Sequence, residues 1–180
     1  MKRIVLIALG VAAASIGAFA QTPDIDTPLL ALPQNLRADA GVIKWKPDHT
    51  YDTLRPSKNM LVCYDRSGFP LQQPFSLECT DQRNLERVKQ NLDAEALGDR
   101  MKSEAKLNEQ EKAGTRVKPV FGSVWYHLAG MSKEMARTHM TIAVPGATQA
   151  TMGLPENGRG GGVWIMSAGT STAHLMTPGE

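Results

Sequence analysis

The sequence predicts an α+β protein: a mainly antiparallel sheet with a central helical segment and one disulfide. Three observations carry this expectation. Short β-branched and aromatic runs, bounded by Gly, Pro and Asp, stand on both sides of a single helical block. Within that block Leu85, Val88 and Leu92 recur at spacings of three and four, which aligns them on one helix face. The chain holds two cysteines, Cys63 and Cys79, and it begins like an exported protein, so the pair is expected to be joined.

The export signal comes first. Lys2 and Arg3 precede an apolar run from Ile4 to Ile16, and Ala18-Phe19-Ala20 supplies small residues before Gln21. This is the three-part pattern of a cleavable signal over residues 1–20. The run falls short of the roughly 20 residues that cross a bilayer, and no later stretch is longer. The expected location is periplasmic or secreted, with no integral membrane segment after cleavage. In such a compartment a Cys63–Cys79 bridge would remove about 3 kcal/mol of unfolded-chain freedom. The two cysteines are too far apart in sequence for a redox Cys-x-x-Cys motif.

Residues 21–40 contain Pro23, Pro28 and Pro33 and read as an extended arm, with a short helical turn near Asn35–Ala38. Leu29, Leu30 and Leu32 are its anchors to the body. Residues 41–180 then form a single α+β domain. Val42, Ile43 and Trp45 alternate with Lys44 as a strand, and Tyr51–Leu54 is its partner. Asn59–Tyr64 is a further strand, closed by the turn residues Asp65-Arg66-Ser67-Gly68. Pro70 and Pro74 delay regular structure until the Phe75–Cys79 segment, which leads into the helices. Thr80 or Asp81 caps the helical stretch that runs to Lys112. Gly98 breaks it, since glycine costs about 1 kcal/mol inside a helix. Beyond Gly98 the charges alternate in sign, the mark of a solvated face, and only Met101, Ala105 and Leu107 are apolar enough to bury. Gly122–Leu128 reads as a strand, Met131–Arg137 as a helical turn, and Thr138–Val144 as a β-branched strand ended by Pro145-Gly146. A Gly-rich loop at Asn157–Gly162 precedes the last two strands, Gly162–Ser167 and Thr172–Met176.

Charge excludes one class of function. The chain has 20 Lys+Arg against 18 Asp+Glu, a net charge of +2. Lys2 and Arg3 are both in the signal, so the remainder is balanced at 18 against 18. A nucleic-acid partner is therefore not expected. Familiar catalytic motifs are missing too. There is no Gly-x-Ser-x-Gly and no His-Glu-x-x-His, and Asn-Gly-Arg-Gly-Gly-Gly lacks the Lys-Ser/Thr of a phosphate loop. No cofactor is expected.

Two constellations remain. His127, His139 and His174 all lie in expected strands and would converge if those strands pair on one face. Imidazole with thioether suits copper, and imidazole also suits zinc, which makes His139, His174 and Met176 the candidate metal set. Met140 is excluded, because neighbours on a strand point to opposite faces. The second constellation is a small-molecule cleft with Trp125, Arg159 and Trp164 as ligand-binding residues, beside Tyr126 and Ser171. Ser171 and His174 would be its nucleophile and base, without an identifiable acid. The expected function is an exported binding or structural module. The alternative is a copper or zinc protein, or a hydrolase, built on the C-terminal histidines.

The run from Leu54-Arg55 through Asn59 to Cys63, the later Cys79-Thr80-Asp81, and the ending Ala173-His174-Leu175-Met176 resemble short islands in a loose group of exported bacterial proteins. Those proteins show Leu-Arg-x-Gly-x-Asn-x-x-x-Cys, a second Cys before an acidic residue, and a late Pro-His-x-Met. This sequence has Ser57 in place of the Gly and Ala173 in place of the Pro. The resemblance implies export and a disulfide, and it brings no activity.

Overall fold

A computed structural model of the chain describes residues 24–177. The expected signal, and the first residues of the arm, lie outside the described residues. Eight strands form one sheet: β1 (Gly41–Trp45), β2 (Tyr51–Arg55), β3 (Leu61–Asp65), β4 (Phe75–Asp81), β5 (Val124–Gly130), β6 (Arg137–Ala143), β7 (Trp164–Met166) and β8 (His174–Met176). Their order is β2-β1-β3-β4-β5-β6-β8-β7. Every neighbouring pair is antiparallel except β1 and β3, which run parallel.

Strand side chains alternate between faces, and here both faces are covered across the middle of the sheet. On one face Ile43, Trp45, Val62, Tyr64 and Trp125 pack against Leu85, Val88 and Leu92 of α2 (Leu85–Glu95). On the other, Val42, Cys63, Leu77 and Cys79 pack against Leu29, Ala31 and Leu32 of the arm. The arm is less extended than its prolines imply. A 3₁₀ turn at Pro28–Ala31 and helix α1 (Gln34–Arg37) fold it onto the sheet. Pro28 sits in the first helical turn, where its missing N–H costs nothing. Arg37 then holds the turn by donating from Nε to the carbonyl of Leu32 at 2.8 Å.

Phe75–Asp81 is a full strand and not merely a lead into the helices. Its apolar side chains face the arm. Its polar ones, Glu78 and Thr80, face α2, so both sets are buried. The helices follow it directly. Asp81 accepts from the amide of Arg83, and Asp99 caps α3 (Arg100–Lys112) by accepting from the amide of Lys102. Between α2 and α3 the chain turns at Gly98, whose φ of +67° suits a residue without a Cβ. Met101 and Ala105 are exposed, Leu107 is half-buried, and Ser103 is the one buried residue of α3. Met131–Arg137 contains no helix. It is the tip of the β5–β6 hairpin, held by the amide of Met135 donating to the carbonyl of Ser132 at 3.2 Å.

Leu92 is 1% exposed, and Met101 is 81% exposed. Leu92→Ala should therefore cost about 3 kcal/mol, the middle of the range for core truncation. Met101→Ala should cost less than about 0.5 kcal/mol. Urea unfolding of the two variants checks the packing of α2 on the sheet: equal costs would mean that Leu92 is not in the core.

Candidate functional site

The α2-facing side of the sheet carries a polar row. Strand register sets Tyr64 opposite Glu78, Glu78 opposite His127, and His127 opposite His139. Four strands thus line up one side chain each. Tyr64 donates its hydroxyl hydrogen to Glu78 Oε1. Arg66 Nη1 donates to Glu78 Oε2 at 2.8 Å, and Arg66 Nη2 bonds Glu95 on α2. Gln72 Nε2 donates to the same Glu95 oxygen at 3.0 Å. His127 Nδ1 lies 3.5 Å from Glu78 Oε2, and the rings of His127 and His139 have centroids 6.0 Å apart.

Burial sets the protonation of this row. It pushes Glu78 up, but Arg66, His127 and the Tyr64 hydroxyl more than offset it, so the carboxyl sits below its ordinary value. Burial holds His127 below the ordinary imidazole value; Arg66, His139 and His174 act in the same sense and Glu78 opposes them. Glu95 is raised, by burial first and by Glu78, against the pull of Arg66. At neutral pH the row is an ionised Glu78 beside a neutral His127.

Past Glu78 the row opens into a cleft of about 390 Å³ between the α2–α3 pair and strands β5, β6 and β8. Trp125, His127, His139, Thr141 and His174 form its sheet wall, and Arg87, Asn91, Glu95 and Leu107 its helix wall. Arg116, from the segment after α3, closes one side. Both arginines are buried, Arg87 at 4% and Arg116 at 7% exposure. Arg87 donates to the carbonyl of Val117, to Ser171 Oγ at 3.2 Å and to Thr172 Oγ1 at 2.8 Å. Arg116 donates to Gln90 Oε1 at 3.0 Å and to Asn91 Oδ1. Burial lowers each guanidinium to about 10; Glu111 opposes this at Arg87, while the neighbouring charge of Arg87 lowers Arg116 further.

The three histidines share the α2-facing side, as strand alternation requires. They are not equally close. His174 stands opposite Ala143, four residues along β6 from His139, a rise of about 13 Å. Met176 shares the face of His174 and stands opposite Thr141. His174 Nδ1 is 2.8 Å from the carbonyl oxygen of Thr172 and donates to it when Nδ1 carries the proton, which leaves Nε2 as an acceptor. Among the described residues, no three His, Cys, Asp or Glu side chains gather as a metal ion requires.

Of the expected ligand-binding residues, Trp125 lines the cleft. Arg159 is exposed in a 3₁₀ turn at Gly158–Gly160. Trp164 lies on edge strand β7, against that turn: a Cβ on Gly158 would sit 2.9 Å from the indole Nε1. Tyr126 points to the arm side. The structure therefore does not bring Trp125, Trp164 and Arg159 together in this cleft. Ser171 is buried and gives its hydroxyl hydrogen to Glu111, whose other oxygen accepts from the Ser171 amide at 2.7 Å. It makes no hydrogen bond to His174. Arg87, Arg116 and Glu78 were not among the expected site residues. Neither arginine carried a signal: Arg87, two residues after Leu85, lies off the face shared by Leu85, Val88 and Leu92, and Arg116 lies in an irregular segment.

Fold and cleft define an α+β protein with an eight-stranded, mostly antiparallel sheet, a cross-strand disulfide and a polar cleft at the end of a buried charge row. No helix among the described residues is long and apolar enough to cross a membrane. The chain matches no family model, and comparison with curated proteins and with solved structures gave no match.

Proposed function

We propose that this chain is an exported binding protein whose small-molecule ligand occupies the cleft between the α2–α3 pair and β5, β6 and β8. One observation carries the reading. Three histidines from three strands and two buried arginines line the same 390 Å³ space, beside the apolar wall of Trp125 and Leu107. Apolar walls with a few convergent polar groups are the usual make-up of a small-molecule site. The leader pattern of residues 1–20 supports export, and the Cys63–Cys79 bridge suits an oxidising compartment.

A thermal-shift screen of the secreted protein against neutral, cationic and anionic metabolites tests it. A true ligand at one hundred times its dissociation constant stabilises the fold by about 2.7 kcal/mol. His139→Ala and His174→Ala should keep the fold, because both side chains stand at the open wall, and should reduce the shift. If no compound shifts the wild type, or both variants respond unchanged, this reading fails.

A further inference from the structure

We infer that the ligand of this cleft is a small anion, held through a carboxylate or phosphate group by Arg87 and Arg116. The inference rests on the cleft being a binding site and goes further by naming the chemistry that fills it.

A buried guanidinium is costly unless a counter-charge meets it. Among the described residues, Arg66 has two carboxylates within ion-pair distance, those of Glu78 and Glu95. Arg87 and Arg116 are as deeply buried and have none. Each of their hydrogen-bond acceptors is neutral: a backbone carbonyl, hydroxyls and side-chain amides. The two nearest acids, Glu95 and Glu111, act on them only at longer range and make no ion pair with either arginine. Glu95 bonds Arg66 and Gln72, and Glu111 clasps the amide and hydroxyl of Ser171. Two like charges thus face one cleft, each repelling the other.

A guanidinium has five N–H donors in a planar fork. Contacts among the described residues account for three bonds from Arg87 and two from Arg116. The remaining donors suit the paired oxygens of a carboxylate or phosphate, which accept two parallel hydrogen bonds. The histidines on the opposite wall add donors or acceptors according to their tautomer. An anion between the two arginines relieves their mutual repulsion, which neither a neutral sugar nor a cation does.

Calorimetric titration at fixed ionic strength tests this, with inorganic phosphate and citrate as anionic probes and glucose as the neutral one. Phosphate or citrate should bind, and glucose should not; which anion binds more tightly separates a phosphate site from a carboxylate site. Arg116→Gln, which removes the charge and leaves polar atoms for Gln90 and Asn91, should weaken binding about tenfold or more, the usual loss for a charge-assisted bond. Arg87 braces Val117 and Thr172, so Arg87→Gln is the variant at risk of misfolding. His174→Gln is the second probe, and the guanidinium Nε–H resonances of the wild type give a direct readout by shifting on titration. Unchanged affinity in Arg116→Gln, with static guanidinium resonances, would overturn the inference by placing the anion elsewhere. Binding of neutral compounds alone overturns it while leaving the cleft reading intact. Binding of nothing overturns both.

Discussion

Arg66→Met is expected to cost about 3–5 kcal/mol, near the most a single substitution can remove from a fold of this size. The reason is the row it serves. Glu78 is 2% exposed and Arg66 supplies the cation against it, at 2.8 Å. Without Arg66, Glu78 keeps only the Tyr64 hydroxyl and a neutral His127, and Glu95 keeps only Gln72. An uncompensated buried carboxylate responds by taking up a proton. That response makes the prediction specific. In the wild type, Glu78 lies below its ordinary value, so its stabilisation is present above that value and is lost as pH falls through the lowered one. His127, also lowered, adds a loss that begins as pH drops through its ordinary 6.5, because the unfolded chain takes up that proton first. Glu78 and His127 therefore pull wild-type stability down on acidification, and the raised Glu95 opposes them. In Arg66→Met, burial acts on Glu78 with little opposition, its pKa rises, and the folded state gains from protonation. The stability gap between variant and wild type should narrow from pH 7 to pH 5 in urea unfolding. Arg66→Met/Glu78→Gln should recover part of the loss, since the stranded charge is gone. A gap that is constant with pH, unaffected by Glu78→Gln, would show that the row is not coupled.

Those pairings explain what the sequence could and could not reveal. Val42, Ile43 and Trp45, or Thr138–Val144, announce strands because their alternation or β-branching is a local property. Phe75–Asp81 alternates just as well, yet its polar half is buried under α2, and no local signal says that a Glu or Thr will be covered. Met131–Arg137 has the composition of a helical turn, but the pairing of Ala129 with Arg137 makes it a hairpin tip. The histidines were legible only conditionally. Their common face follows from alternation once β5, β6 and β8 adjoin, but their spacing follows from register: His139 opposite His127, His174 opposite Ala143. Arg116 was not legible at all, because its burial depends on how α3 packs against α2, and no periodicity extends to it. The expected cleft of Trp125, Trp164 and Arg159 was drawn from residue type along the chain. The strand order instead puts β7 at the sheet edge and takes Trp164 with it.

Cys63→Ala/Cys79→Ala is expected to cost about 3–5 kcal/mol. Cys63 and Cys79 stand directly opposite each other on β3 and β4, with Cα atoms 4.0 Å apart and a sequence separation of 16. Closing a loop of that length restricts the unfolded chain by about 3 kcal/mol on the entropy model. The rest comes from the folded side. Both residues are fully buried among Leu29, Leu32, Val42 and Leu77, so trimming two sulfurs leaves a void between sheet and arm. Cys63→Val/Cys79→Ala refills part of that void without restoring the bridge and should recover only the packing share, which separates the two contributions. Burial also dictates how reduction proceeds. A thiol reagent has no path to sulfurs covered by the Pro28–Leu32 turn unless the arm lifts or the domain unfolds. Reduction of the native protein by dithiothreitol should therefore be slow and should accelerate in urea in step with unfolding, as followed by mass spectrometry of the 63–79 peptide pair. Rapid reduction in native buffer, with the rest of the sheet still protected from hydrogen exchange, would instead mean that the arm opens alone. In that case arm contacts such as Leu29 and Leu32 contribute less than the sheet they cover, and the double alanine variant should cost no more than the loop entropy.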